Sequence, residues 1–231
     1  MTAFGRWLPA ITQTPVIRKA ALTTAGLAFV GGAVAGPMTA AQAAPAESAP
    51  KPAASAQDAQ KPAAGKELNV KYEPQPNFYY CGPASTRIAL TSQGHAPSQD
   101  DVAKELGTTE NGTNSAEDTT RVLNKIDGGD VYKTKSIPGT SASAGEVDQL
   151  KADVKNAVDA ERAVVANIAG TTTDADGNVH SYEGGHYLSV VGYRDDGNAV
   201  KIADPAKPDQ SSYWMSTGDL ANWVATRGYS A

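Results

Sequence analysis

The stretch Gln75-Pro76-Asn77-Phe78-Tyr79-Tyr80-Cys81-Gly82-Pro83-Ala84 holds the only cysteine of the chain and leads straight into a helical pattern. Pro83 suits a first helical turn, where its missing N–H costs nothing. Ile88 and Ala89 follow Ala84 at helical spacing before Gly94 closes the segment. The pattern predicts a helix over about 82–93 with Cys81 at its mouth. Helix N-termini carry unpaired N–H groups and partial positive charge, which favour thiolate over thiol and activate the sulfur as a nucleophile. A buried structural cysteine is the plainer alternative, because free cysteine is among the most buried residue types. What stands further along the chain decides between them.

Gly184-Gly185-His186 opens the apolar run Tyr187–Tyr193, and Asp195-Asp196-Gly197-Asn198 separates it from a second run, Ala199–Ala203, ending at Asp204-Pro205. This reads as a β-hairpin. A two-residue turn at Asp196-Gly197 sets Asp204 opposite Ser189 and turns it away from His186. A three-residue loop over Asp195–Gly197, with Gly197 left-handed, sets Asp204 opposite Leu188 instead. The second register is expected, because it groups Leu188, Val190, Val200 and Ile202 on one face and makes His186 and Asp204 diagonal neighbours.

A nucleophile at a helix start and an imidazole oriented by a carboxylate on a later hairpin suit nucleophilic acyl transfer. The order is Cys81, His186, Asp204. Gln75, six residues before Cys81, supplies a side-chain amide able to join the Cys81 N–H in stabilising an oxyanion. Each residue also has an ordinary reading. Asp204 before Pro205 shapes turns, and Gln75 is equally a loop glutamine, with Asn77 as a substitute donor. Phe78, Tyr79 and Tyr80 either line a cleft or pack on the helix. His180, beside a polar turn with no apolar framing, reads as a solvated loop residue.

With these elements in place the sequence resembles the papain-like cysteine peptidases, and among them the bacterial bacteriocin-processing, double-glycine peptidase family and its stand-alone secreted relatives. The resemblance rests on Gln75 before Tyr80-Cys81-Gly82-Pro83-Ala84-Ser85, Asn111-Gly112-Thr113, Gly185-His186-Tyr187, Val191-Gly192-Tyr193 and Asp204-Pro205, spread over most of residues 72–214. It implies Cys81 as nucleophile, His186 as general base and acid, Asp204 as the orienting residue and Gln75 as oxyanion donor. Family members that export bacteriocins carry membrane-spanning and ATP-binding regions. This chain shows neither, so their leader-peptide substrate does not carry over.

The first 43 residues hold Arg6, Arg18 and Lys19 but no acid, then an Ala/Leu/Val/Gly run over about 20–36 and an Ala41-Gln42-Ala43 cleavage pattern. That predicts a signal peptide, with cleavage favoured over a retained membrane helix by the small residues of its core. Arg18-Lys19 is not a twin-arginine pair, so the general secretory route is expected. Residues 44–66, rich in Ala, Pro, Gln and Lys, carry too little apolar surface to offset chain entropy and read as a flexible linker or pro-segment. Residues 67–231 remain for one domain, secreted and expected to be monomeric.

A single cysteine excludes an internal disulfide and leaves a free thiol. His95, His180 and His186 form no zinc signature, and no metal or other cofactor is implied. The formal charge of −5 becomes more negative once the three signal cations leave, which argues against a nucleic-acid partner.

Between the cysteine helix and the hairpin, Ser98 with Asp101 and Ser115 with Asp118 start two helices, stopped at Gly107 and Gly128. A longer helix over 144–161 carries Val147, Leu150, Val154 and Val158. A buried strand over 163–168, a loop at Asp174–Gly177, a strand at Tyr213-Trp214 and a closing helix over 219–226 complete the chain. Helices first and strands later predict an α+β fold, papain-like, with an antiparallel sheet packed on the nucleophile helix. The expected activity is a secreted cysteine peptidase acting on peptide or protein through a Cys81 thioester, with no membrane partner after signal cleavage. The alternatives are a transglutaminase-type acyl transferase and a non-catalytic surface-binding module of the same fold.

Overall fold

The computed structural model describes residues 64–231; the signal-peptide segment and all but the last residues of the Ala/Pro-rich linker lie outside the described residues. Strand β1 (Lys66–Glu67) is followed by three helices, α1 (Cys81–Thr91), α2 (Gln99–Leu106) and α3 (Ala116–Asp127). Then come β2 (Thr134–Lys135), α4 (Ala144–Asp159), β3 (Val164–Thr173), β4 (Val179–Arg194), β5 (Ala199–Ala203), β6 (Ser212–Ser216), α5 (Thr217–Val224) and β7 (Tyr229–Ser230). One antiparallel sheet runs β2-β7-β3-β4-β5-β6, and β1 pairs with the end of β4. Among the described residues no helix is long and apolar enough to cross a membrane. The α+β arrangement expected from the order of the elements is the one observed.

Ser98 and Ser216 accept from the N–H three residues on, and Ser143 forms a capping box with Glu146. Ser115 precedes α3 as expected but makes no capping bond to its backbone, its Oγ donating instead to Asp118 Oδ2 at 3.2 Å. Gly107 and Gly128 end α2 and α3 in the left-handed conformation. Helix α1 starts at Cys81 itself and ends at Thr91. Helix α5 runs from Thr217 to Val224, two residues earlier than the periodicity indicates. The central strand β4 is buried continuously from His186 to Tyr193, because α1 and α4 both pack on it. Ser189 Oγ reaches the Ser85 carbonyl of α1 at 2.7 Å, and Tyr193 Oη reaches Asp159 of α4 at 2.8 Å.

The hairpin reaches the expected register by an unexpected route. Arg194 pairs with Ala199, so the loop is four residues long, not three. A bulge between Val190 and Gly192 then removes the one-residue offset and restores Val190↔Ile202 and Ser189↔Ala203. Continuing that register sets Asp204 across from Leu188. Asn198 is lost to the strand because it closes the turn: its N–H and Nδ2 both donate to the Asp195 carbonyl, and its own carbonyl accepts from Thr217 N–H. Gly197 is left-handed as expected, and Asp195 and Asp196 also take positive φ, which aspartate tolerates.

Strand β1 starts at Lys66, the last residue of the expected linker. Its position depends on Gly192, where a Cβ would lie 2.8 Å from the Lys66 carbonyl oxygen. The Lys66–Glu161 ion pair beside it, half-buried at the lysine and exposed at the glutamate, adds at most about 1 kcal/mol.

Candidate active site

Cys81 is the first residue of α1, and its helix start has no side-chain cap, unlike those of α2, α4 and α5. The first-turn N–H groups are therefore left to whatever lies in front of the helix. Gly82 is required for that position: a Cβ there would lie 2.2 Å from Thr113 Oγ1. Thr113 is anchored in turn. Its Oγ1 bonds Thr108 Oγ1 at 2.8 Å, and its carbonyl accepts from Tyr187 Oη at 3.3 Å, which itself accepts from Asn167 Nδ2 at 3.0 Å. This explains the Asn111-Gly112-Thr113 segment: it forms the wall against which the start of α1 is seated.

His186 opens the buried part of β4 and Asp204 follows β5, fully buried at 0% exposure. His186 Nε2 lies 2.8 Å from Asp204 Oδ1, which leaves Nδ1 as the ring nitrogen for Cys81. Burial works to raise the Cys81 thiol. The hydrogen bond and charge of His186, with backbone N–H groups of Tyr187 and Gly82, outweigh it and bring the thiol below its ordinary value. Burial likewise works to lower His186, but hydrogen bonds to Asp204 and Cys81 and their charges raise it to about 9. Asp204 is lowered: burial opposes its charge, while His186, the Ala206 N–H and Tyr182 favour it. The two shifts run in the senses that favour a thiolate facing an imidazolium.

The pair lies on a groove of about 450 Å³ that runs from Phe78 and Tyr79 across Cys81 to Gly184, Gly185 and Arg227, with the 110–114 loop as one bank. Phe78 is 81% exposed and Tyr79 stands edge-on to it, so these aromatics border the groove more than they pack on the helix. Gln75 does not line this groove. Its Nε2 donates to the Asn77 carbonyl at 2.7 Å, and its N–H ties the segment to Pro205, next to Asp204. The Asn77 side chain is occupied too, accepting from Tyr79 N–H. The structure therefore brings Cys81, His186 and Asp204 together, and leaves Gln75 close in sequence but with its amide directed to its own loop. Among the described residues no group of three or more His, Cys, Asp or Glu is placed to hold a metal.

Three tyrosines around Asp204 were not legible beforehand. Tyr182 Oη and Tyr213 Oη donate to Asp204 Oδ2 at 2.9 and 3.2 Å, and Tyr72 Oη donates to the Asp204 carbonyl at 3.1 Å. Tyr182 also stacks on the His186 ring, with centroids 4.0 Å apart. His180 corrects the solvated-loop expectation. It is 1% exposed, lies in β4, and bonds Asp174 through Nε2 at 3.0 Å. The expected loop at Asp174–Gly177 is a tight hairpin turn joining β3 to β4, so the strand begins at Val179 and carries His180 inward.

The Peptidase_C39 like family profile matches residues 67–231. Several solved structures are similar. A protein described as a C39-like peptidase from Bacillus anthracis is 16% identical, with 72% of this chain and 96% of that one covered and a TM-score of 0.49. The peptidase domain of Streptococcus ComA, a bifunctional ABC transporter, is 20% identical over 70% of this chain and 96% of that one, with a TM-score of 0.47. Xylellain, a cysteine protease from Xylella fastidiosa, is 14% identical over 72% and 84%, with a TM-score of 0.40. No curated protein matches the chain. With the profile spanning the whole of the expected domain, the chain belongs to the Peptidase_C39 like family and is a cysteine-type peptidase.

Proposed function

We propose that the protein is a secreted peptidase that cleaves peptide bonds through a thioester on Cys81, with His186 as general acid and base and Asp204 orienting it. The observation that carries this reading is the His186 ring between Asp204 and Cys81, on the floor of an open groove. The thiolate of Cys81 adds to the scissile carbonyl, and the negative oxygen that forms is stabilised by the uncapped first turn of α1. Protonated His186 gives its proton to the leaving amine as the C–N bond breaks, which leaves the acyl group on sulfur. Neutral His186 then takes a proton from water, hydroxide adds to the thioester, and collapse releases the acid and restores thiolate and imidazolium.

Gln75 is the proposed second oxyanion donor. Its amide has one hydrogen beyond the one given to Asn77, and the role requires the side chain to turn from its own loop toward Cys81 when substrate binds. The substrate is a peptide or protein segment, and the mature protein acts as a monomer outside the cell after removal of residues 1–43. The basic start, apolar run and Ala41-Gln42-Ala43 pattern support export.

The deciding experiment digests a peptide library with wild type and with Cys81→Ala. Turnover is expected only in wild type, with both proteins melting alike, because the sulfur forms no crosslink. Equal turnover in the variant removes the assignment. Added amines that capture the acyl group in place of water would move the reading to acyl transfer. N-terminal sequencing of the exported protein is expected to begin at Ala44.

A further inference from the structure

The reaction above uses one histidine and one aspartate, yet the hairpin buries a second such pair beside the first. His180 and Asp174 lie outside the groove, and no step requires them. Their contacts lead back to Asp204. The His180 ring stacks on Tyr213, centroids 4.0 Å apart and planes at 19°, and Tyr213 Oη donates to Asp204 Oδ2. On the other side Tyr182 stacks on His186 with planes at 16° and donates to the same oxygen. Trp223 lies against both His180 and Tyr182 and is itself fixed by a 3.0 Å bond from its Nε1 to the Gly170 carbonyl.

The donors around Asp204 fill both of its oxygens. Oδ1 takes His186 Nε2 and the Ala206 N–H at 3.0 Å, and Oδ2 takes the two phenols. A carboxylate held from four directions cannot turn about its own axis without breaking at least one charge-assisted bond. Asp174 is equally filled, by the N–H groups of Asp176 and Asn178, the Asn178 amide, Gln210 and His180. His180 is therefore fixed at one end, and its ring stacks on Tyr213 with Trp223 beside it. Its Nδ1 is buried with no partner among the described residues, so Asp174 is the one hydrogen-bond partner of the ring.

We infer that Tyr182 and Tyr213 are positioning residues that lock the Asp204 carboxylate onto His186, and that the buried His180–Asp174 pair is the base on which Tyr213 is held. The inference rests on the Cys81–His186–Asp204 reading of the site. Burial and the Asp204 charge hold both phenols far above their ordinary range, so they remain protonated donors at every pH at which the enzyme works. Once both are lost, Asp204 Oδ2 is a buried carboxylate oxygen with no donor. The group then turns to relieve that cost and gives up its in-line contact with His186.

The test uses Tyr182→Phe, Tyr213→Phe and the double variant, which keep the rings and remove only the hydroxyls. The double variant is expected to lose about tenfold or more in kcat with KM within about twofold, the pattern of a defect confined to the reacting groups. Its His186 titration, followed by NMR in a Cys81→Ala background, is expected to move to lower pH as the imidazolium loses its counter-ion. That readout stands even if Cys81→Ala were found to retain turnover, so failure of the site reading and failure of this inference are separable. Kinetic parameters within about twofold of wild type, or a His186 titration that stays in place or moves upward, would overturn the role of the tyrosines.

His180→Gln keeps a donor for Asp174 and removes the stacked ring. It is expected to lower kcat when Tyr213 is present and to add nothing in a Tyr213→Phe background, the non-additivity of two groups acting in series. Full additivity, or a lower melting temperature with unchanged kcat and His186 titration, would show that His180 serves folding alone and would overturn its part.

Discussion

Cys81 and His186 move each other's titration in opposite directions, and the pH dependence of the site follows from that coupling. The thiol is lowered and the imidazole raised to about 9, so iodoacetamide should alkylate Cys81 rapidly well below the ordinary thiol range. Activity is expected to follow a bell: an acidic limb where the pair forms and a basic limb near pH 9 where the imidazolium proton is lost, both belonging to the pair. Asp204→Ala should draw the basic limb to lower pH. An ordinary thiol titration near about 8.5 in both wild type and His186→Ala would show that the two side chains do not interact. Gln75→Ala is expected to lower kcat by roughly 10² to 10³, the scale of one oxyanion donor; a loss under about threefold would leave the α1 N–H groups as the whole oxyanion site. The spacing of Gln75 from Cys81 was legible, but the direction of its amide was not, because a side chain with three torsions is oriented by loop contacts that no pattern encodes. His180 was misread for a related reason. Its partner Asp174 lies six residues earlier, inside what looked like a plain polar turn, and only the closed hairpin shows that both are buried.

Elements rather than single residues set how closely the site is assembled. The helix starts and stops were legible because Ser caps and left-handed glycines act within one turn of chain. The β4–β5 pairing was legible only at its far end. A four-residue loop and a bulge at Val191 displace the register in opposite senses, and the hydrophobic pattern constrains their sum and not either one. The seat of α1 shows the same limit, since the contact between Gly82 and Thr113 crosses 31 residues of sequence. Gly82→Ala should force the 108–113 loop away from Cys81, costing about 1–3 kcal/mol of stability and most of the activity. Thr113→Gly in the same chain should recover part of both. Thermal melts and turnover of the three proteins check this, and a Gly82→Ala variant with wild-type turnover would show that the wall does not seat the nucleophile.

For the molecule as a whole, the two buried carboxylates make acid the condition under which the fold and the site fail together. Asp204 and Asp174 are both held below their ordinary values. Burial opposes each charge, and their histidine partners with the surrounding N–H and O–H donors overcome it. A group depressed in the folded state stabilises the fold above its unfolded value, about 3.9 for aspartate, and that contribution is lost as pH falls through the lower folded value. The melting temperature should therefore be insensitive to these two groups above about pH 5 and fall steeply below about pH 4. At higher pH the raised His186 gives stability that is lost as pH rises from about 6.5 through about 9, whereas the lowered Cys81 gives stability that grows over an overlapping range, so the two oppose each other. Asp174→Asn separates the two carboxylates, because Asp174 lies outside the groove while its hairpin supports the base of Tyr213. The variant should be less stable than wild type at neutral pH, and the gap should narrow as pH falls below about 4, where Asp174 of the unfolded chain takes up a proton that the folded protein still resists. A melting temperature that differs from wild type by the same amount at pH 7 and pH 3 would show that the Asp174 charge contributes nothing to folding, and that its hydrogen-bonding shape alone holds the hairpin.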